Sequence, residues 1–317
     1  MSLTKVPFSL IQVANNVTST TVGNASQVGS FTFDQNGVIT SATNTNISVS
    51  NTAFQAGSVE NYLRSQGTTF GFRNRIINGA CMIDQRNAGA SVTPAANVFT
   101  YTIDRWSSYC NQASKFTVQQ NAGSVTPPAG FTSYIGVTSS SAYAVTSTDQ
   151  FVLYQPLEGY NFADLNWGSA TAQNITISFW VRSSLTGTFG GVIQNSANNR
   201  SYPFTYTISS ANTWTYITVT IPGDTSGTWI GSTNGIGWQV RWSLGSGSTY
   251  NGTAGSWAAA NYTGATGATS VVGTSGATWY ITGVQLEVGS QATPFDWRPY
   301  GQELALCQRY YEKSFNV

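Results

Sequence analysis

The chain is predicted to be all-β, an antiparallel sandwich, and three observations carry that prediction. Apolar residues recur at every second position in several separate stretches, the pattern of half-buried strands. Clusters of Gly, Asn and Ser part those stretches at spacings that suit antiparallel pairing better than any βαβ unit. Charged residues make up only 8% of the 317, against about 25% in an average soluble domain. The polar surface must therefore be built from Ser, Thr, Asn, Gln and Gly.

Residues 1–70 stand apart, because Asn, Ser, Thr and Val dominate and no tryptophan occurs. Within them, 29–40 (GSFTFDQNGVIT) reads as a hairpin, with Gln35, Asn36 and Gly37 supplying the turn. A further strand is expected over 46–49, and a short helix or neck over 58–67. A β-module this small is marginal alone, so it is expected to pack on a partner.

From Phe70 onward the character changes and tryptophans appear. The stretch 175–182 (ITISFWVR) places Ile175, Ile177 and Phe179 on one face. In 214–221 (WTYITVTI), Ile217, Val219 and Ile221 point inward, and 236–244 (IGWQVRWSL) alternates again. The last strand, in 277–288, sets Trp279, Ile281, Gly283, Gln285 and Glu287 against Tyr280, Thr282, Val284, Leu286 and Val288. Two prolines, Pro294 and Pro299, then stiffen a strap in which Phe295 or Trp297 is expected to anchor the chain to the sandwich. Residues 302–313 form a helical stripe of Leu304, Leu306, Cys307, Tyr310 and Tyr311, with Glu303 in its first turn and Arg309 and Lys313 near its last. A helix of that length persists only when docked.

Composition removes several function classes. A net charge of +1 gives no electrostatic case for nucleic acid or an anionic membrane surface. The absence of histidine removes His-based acid–base catalysis, triads and metal ligation. Cys81, Cys110 and Cys307 have neither CxxC nor metal spacing and are expected to be reduced, buried thiols. No run of apolar residues is long enough to span a membrane, and no signal peptide is expected at the N-terminus.

The motifs FRNRIING (72–79), IDQRNAG (83–89), TIDRW (102–106) and TGVQLEVGSQATPFDWRPYGQELALCQRYY (282–311) occur in order. Together they resemble a family of bacteriophage tail-fibre and receptor-binding proteins with a jelly-roll, carbohydrate-binding-module-like domain. The opening MSLTKVPFSL resembles the short leader that docks such fibres onto a virion. The resemblance implies an N-terminal virion-docking segment (1–70), a jelly-roll domain (71–300) and a C-terminal helix (301–317). It also implies a homotrimer assembled in the host bacterial cytoplasm, contacting other virion proteins through residues 1–65 and a host cell-surface glycan through the jelly roll. A purely structural head-decoration or collar protein, and a polysaccharide-degrading tail enzyme, are the rival roles.

Glycoside hydrolysis needs two carboxylates roughly 5–10 Å apart in a cleft. Asp84, Asp104, Glu158 and Glu287 are the candidates, but Arg86 near Asp84 and Arg105 beside Asp104 suggest local pairing or capping, and Glu287 falls on the outward register. No GxSxG elbow is present. The expectation is a binder without turnover, with no catalytic residue, no metal and no cofactor. Jelly-roll modules often hold a structural calcium, yet no DxDxDG loop occurs here. Sugar rings present C–H faces that proteins meet with Trp or Tyr platforms. Trp238 and Trp242 sit on a strand and read as core. Trp229, Tyr250, Trp257 and Tyr262 sit in loop-like sequence and are the candidate glycan platforms, unless they fill satellite clusters beneath the loops.

Overall fold

The computed structural model describes residues 27–37, 39–46, 73–231 and 233–313. The chain divides into two compact units, Met1–Phe70 and Gly71–Val317. In the first, β1 (Gln27–Phe33) and β2 (Ile39–Asn46) pair as an antiparallel hairpin. Its turn uses the expected residues: the Asp34 carboxylate accepts the Asn36 N–H at 2.9 Å, and Gly37 takes a φ of 80° that favours glycine. Asn46, expected to open a strand of its own, ends β2 instead. Residues 47–49, the leader at 1–10 and the helix expected over 58–67 lie outside the described residues.

The second unit contains β3 (Thr100–Ile103), β4 (Trp106–Cys110), β5 (Phe116–Gln120), β6 (Ile135–Ser139), β7 (Gln150–Glu158) and β8 (Ile175–Ser183). These are followed by β9 (Gly187–Asn195), β10 (Ser201–Ile208), β11 (Thr215–Ile221) and β12 (Ile236–Ser246). Two short strands, β13 (Asn251–Gly252) and β14 (Gly264–Ala265), precede β15 (Thr278–Val288). The long strands form a jelly-roll sandwich of a six-stranded sheet, in the order β10-β9-β12-β7-β4-β3, and a five-stranded sheet, β11-β8-β15-β6-β5. Pairing within both sheets is antiparallel.

The alternation read from the sequence sets the core. Ile175, Ile177 and Phe179 of β8 meet Trp238, Val240 and Trp242 of β12 in one buried cluster, with the Trp242 ring 5.6 Å from Phe179 and 5.5 Å from Trp106. All three cysteines are buried free thiols, and burial pushes the Cys81 thiol up to about 12.

In β15 the period of two breaks. Trp279 and Ile281 face the core, and so do Val284 and Leu286, although these pairs lie on opposite registers of a regular strand. The cause is a β-bulge: Thr282 pairs with Trp180 and Gln285 with Ser178, so Gly283 and Val284 together oppose Phe179. Gly283 has φ +60°, the left-handed conformation such a bulge asks of glycine.

After the bulge Gln285 and Glu287 point outward, as expected, but they are not solvated. Both are buried beneath the strap, which they stitch down. Glu287 accepts the Thr293 N–H at 2.8 Å and the Thr293 hydroxyl at 2.7 Å, and Gln285 Oε1 accepts the Asp296 N–H at 2.7 Å. The helix α1 (Tyr300–Gln308) is shorter than the stripe suggested. Arg309 stands at its C-cap and Lys313 lies past its end, donating to the Arg86 carbonyl at 2.9 Å. Cys307, with Leu304, Leu306 and Tyr310, closes a small cluster on Ile77 and Ile83 of the same unit.

Arg309 locks this end through a two-point ion pair with Glu158, at 2.5 and 3.0 Å, and Tyr310 donates to the same carboxylate. The Arg309 contact holds the Glu158 carboxyl below its ordinary 4.5 despite burial. A depressed folded-state pKa contributes stability that is present above about pH 4.5 and is lost as pH falls through the folded value. Glu158→Gln is therefore expected to lower the melting temperature at pH 7, by about 1–3 kcal/mol of stability. It should also flatten the loss of stability between neutral and acid pH, and thermal melts across that range check both effects.

Candidate functional site

The outer face of the five-stranded sheet carries a groove of about 440 Å³. Its floor follows from the strand alternation: with Ile177 and Phe179 facing the core, Ser178 and Trp180 of β8 must face out. Tyr216, on the edge strand β11, stands directly across from Trp180, and their ring centroids lie 5.2 Å apart. The opposite wall is the strap. Phe295 and Trp297 pack against each other at 4.8 Å and against Phe131, from the loop before β6, at 5.2 and 5.0 Å.

The bulge fits this wall to the floor. A Cβ at Gly283 would come within 2.6 Å of the Phe131 ring and 3.2 Å of the Trp180 indole. Only a residue without a side chain lets the two aromatics converge over the strand.

The chemistry of the groove is aromatic and neutral. No lining residue is charged, and Ser178, Tyr216 and Thr293 are the lining residues that carry hydroxyls. Trp297 and Tyr216 remain 47% and 43% exposed, so ring faces are open to a ligand. The indole N–H groups sort in the same direction. Of the ten tryptophans, six donate to an acceptor of the chain, and Trp238 and Trp242 hold theirs buried. Among the described residues, the other two tryptophans without an acceptor, Trp180 and Trp297, both line the groove.

The four aromatics expected to form a platform are placed elsewhere and do not come together as a set. Trp229 and Trp257 join a cluster with Phe162, Trp167 and Tyr202, their centroids 5.5 Å apart and each about 5 Å from Trp167. Their N–H groups are committed to Asp224 at 3.1 Å and to the Pro222 carbonyl at 2.9 Å. Tyr250 ends a 3-10 turn, Ser248–Tyr250, and Tyr262 lies against Gly252, where a Cβ would collide with its ring. Both are half-buried.

Sequence reasoning passed over Trp180 and Tyr216, although the signal was present: each neighbours a residue assigned to the core on an alternating strand. The contribution of Phe131 had no local signal, because the bulge that admits it emerges only from strand pairing.

The candidate carboxylates are all held by neighbouring groups. Asp84 accepts the Asn87 and Gly89 N–H groups at 2.9 and 2.7 Å, and Asp104 accepts from Gln85. Glu158 and Glu287 are occupied as described above. Among the described residues, no group of three or more Cys, Asp or Glu side chains is placed to hold a metal ion.

No protein-family model and no curated protein matches the sequence. Solved structures align weakly. The enzymatically active domain of bacteriophage CBA120 tailspike protein 4 aligns over 68% of this chain at 10% identity and a TM-score of 0.34. The chain spans about a fifth of that domain, 21%. A sugar-binding protein from Bacteroides thetaiotaomicron aligns over 68% of this chain and 100% of its own, at 12% identity and a TM-score of 0.38. The family 11 carbohydrate-binding module of Clostridium thermocellum, in complex with a mixed-linked tetrasaccharide, aligns over 64% of this chain and 98% of its own, at 14% identity and 0.31. Similarity at this level supports no inference about ligand or activity.

The groove depends on the bulge, and the bulge on its glycine. Gly283→Ala is expected to cost roughly 1–3 kcal/mol, from backbone strain at φ +60° and from the displaced Phe131 ring. Denaturant unfolding measures the cost. A shift in tryptophan emission of the folded variant would report the disturbed Trp180–Trp297 wall.

Proposed function

We propose that the sandwich is an adhesion module that holds a neutral stretch of glycan across the Trp180–Trp297 groove, without turnover. The observation that supports it is the fate of the indole N–H groups: Trp180 and Trp297, whose donors have no acceptor among the described residues, both line an uncharged aromatic groove. Sugar rings offer C–H faces to stack and hydroxyls to accept such donors, and a groove without charges leaves neutral hydroxyls as the natural partners. The local engagement of Asp84, Asp104, Glu158 and Glu287 is consistent with binding alone, since a hydrolase needs two carboxylates free to act on substrate.

In the wider setting, the chain serves as a virion fibre or receptor-binding protein of a bacteriophage. Residues 1–65 attach it to other virion proteins as a homotrimer, and the jelly roll meets the host-surface glycan. The sequence resemblance supports this part of the reading, together with the change in composition near Phe70.

The test is binding to a panel of neutral bacterial surface polysaccharides. Trp180→Ala and Trp297→Ala are expected to weaken binding at least tenfold, about 1.4 kcal/mol, while the melting temperature stays within a few degrees. Reducing-sugar assays on the same polysaccharides should stay at background. Undiminished affinity in both variants would remove the groove from the function, and sugar release that an acid-to-amide substitution abolishes would make the protein an enzyme.

A further inference from the structure

The opposite face of the sandwich carries a different feature. On β12, Trp238, Val240 and Trp242 face the core, which turns Gln239 and Arg241 to the outside of the six-stranded sheet. Arg241 is nonetheless only 4% exposed, and what surrounds it is unusual for a cation. Nη2 donates to Asn198 Oδ1 at 3.1 Å and to Gln239 Oε1 at 2.9 Å. The other three of its five N–H donors find no acceptor among the described residues. Nε is sealed from solvent, whereas Nη1 is not.

Five other arginines (Arg73, Arg75, Arg200, Arg298 and Arg309) each form an ion pair with a carboxylate. Arg105, the other deeply buried arginine, stacks on Tyr310 at 3.5 Å, donates to the Pro156 carbonyl and lies in the field of Glu158. Around Arg241 the groups that act on its charge are the phenols of Tyr154 and Tyr109, and burial pushes the guanidinium down to about 10. A buried charge with no counter-charge is costly, and a chain with so few charges has no compositional reason to place one there.

The surroundings define what would complete it. Tyr154 lies directly across from Arg241 in the β7–β12 ladder. Phe99, 45% exposed, packs over Tyr154 and Tyr109 at 4.7 and 5.0 Å. The site thus combines an aromatic wall, two amides already oriented by the guanidinium, and an unmatched positive charge with one nitrogen in contact with solvent.

We propose that this face is a second ligand site, in which Arg241 takes the carboxylate of an acidic sugar whose ring lies against Phe99 and Tyr154. A planar carboxylate matches the guanidinium fork, the sugar ring fits the aromatic wall, and Gln239 and Asn198 are placed for hydroxyls. The site is distinct from the Trp180–Trp297 groove, which lies on the other sheet, and does not depend on it.

Calorimetry and thermal melts on the full chain with sodium glucuronate, glucose, acetate and inorganic phosphate test the proposal. Glucuronate is expected to bind and raise the melting temperature, and to do so equally in Trp180→Ala. Arg241→Gln should weaken glucuronate at least tenfold. Without ligand that variant should melt no lower than the parent, because it removes an uncompensated charge. If Arg241→Gln does not fold, Phe99→Ser at the exposed rim carries the test, with a several-fold loss of glucuronate affinity expected. The proposal fails if glucuronate does not bind, or if it binds Arg241→Gln or folded Phe99→Ser as tightly as the parent. It fails also if acetate or phosphate binds as well as glucuronate, which would make the pocket a general anion site. Loss of neutral-glycan binding in Trp180→Ala with glucuronate binding intact separates the fate of this site from that of the groove.

Discussion

The domain depends on a buried polar seam between residues 74–79 and β15. Asn74 Oδ1 accepts the Ile76 and Leu286 N–H groups at 2.9 and 3.1 Å, and its Nδ2 donates to the Val284 carbonyl at 3.2 Å. The Val284 N–H donates to the Gly79 carbonyl at 2.9 Å. These groups lie past Ile281, where the pairing of β15 with β6 ends. Buried and unpaired, each would cost about 1–3 kcal/mol. The opening segment thus takes the place of β6 along the edge of β15 beside the bulge, and the bulge admits Phe131 to the groove. Gln155 carries the seam across to β7 by exchanging two hydrogen bonds with the Ile77 backbone, at 3.0 and 2.8 Å. One short segment thus ties together both sheets.

The seam also shows what the recognisable motifs do. Asn78 donates to the Ile83 and Asp104 carbonyls and receives the Ile83 N–H, while its own N–H goes to Glu303 of α1. Trp106 of the TIDRW motif donates to the Asn78 carbonyl at 3.0 Å. Arg298 of the strap donates to the Ile76 carbonyl at 3.1 Å and pairs with Glu303 at 2.9 Å. Motifs some two hundred residues apart in sequence meet in one polar cluster that closes the domain. Its members are spent on scaffold, so a resemblance carried by them speaks to architecture, and the binding surfaces must be sought elsewhere.

That division accounts for what was legible beforehand. Core-facing residues on β8, β11 and β12 followed from period-two alternation, although β12 is buried on both faces. The face assignment on β15 held only beyond the bulge, because Trp279 and Ile281, on the same register as the outward Glu287, turn to the core before it, and alternation cannot register a bulge. The same strand misled over Glu287: its outward register was right, but the strap that buries it is a tertiary feature. Loop aromatics drew the eye because sequence gives no measure of packing. Trp229 and Trp257 proved to be wedged against Trp167, whereas Trp180, inside a clear strand, faces out.

The scarcity of charge gives the two outer faces their different characters. A surface made of Ser, Thr, Asn and Gln is already hydrated by groups like those of a sugar, so binding energy must come from shape and aromatic contact rather than long-range attraction. The uncharged groove on the five-stranded sheet fits that regime, and ionic strength has little to act on there. Arg241 on the other sheet is the exception. Its charge lies in low dielectric, where a matching carboxylate would be screened weakly and felt strongly. Five described arginines pair with acids; Arg241 is buried beside phenols and amides instead, and its electrostatic partner has still to come from outside the chain.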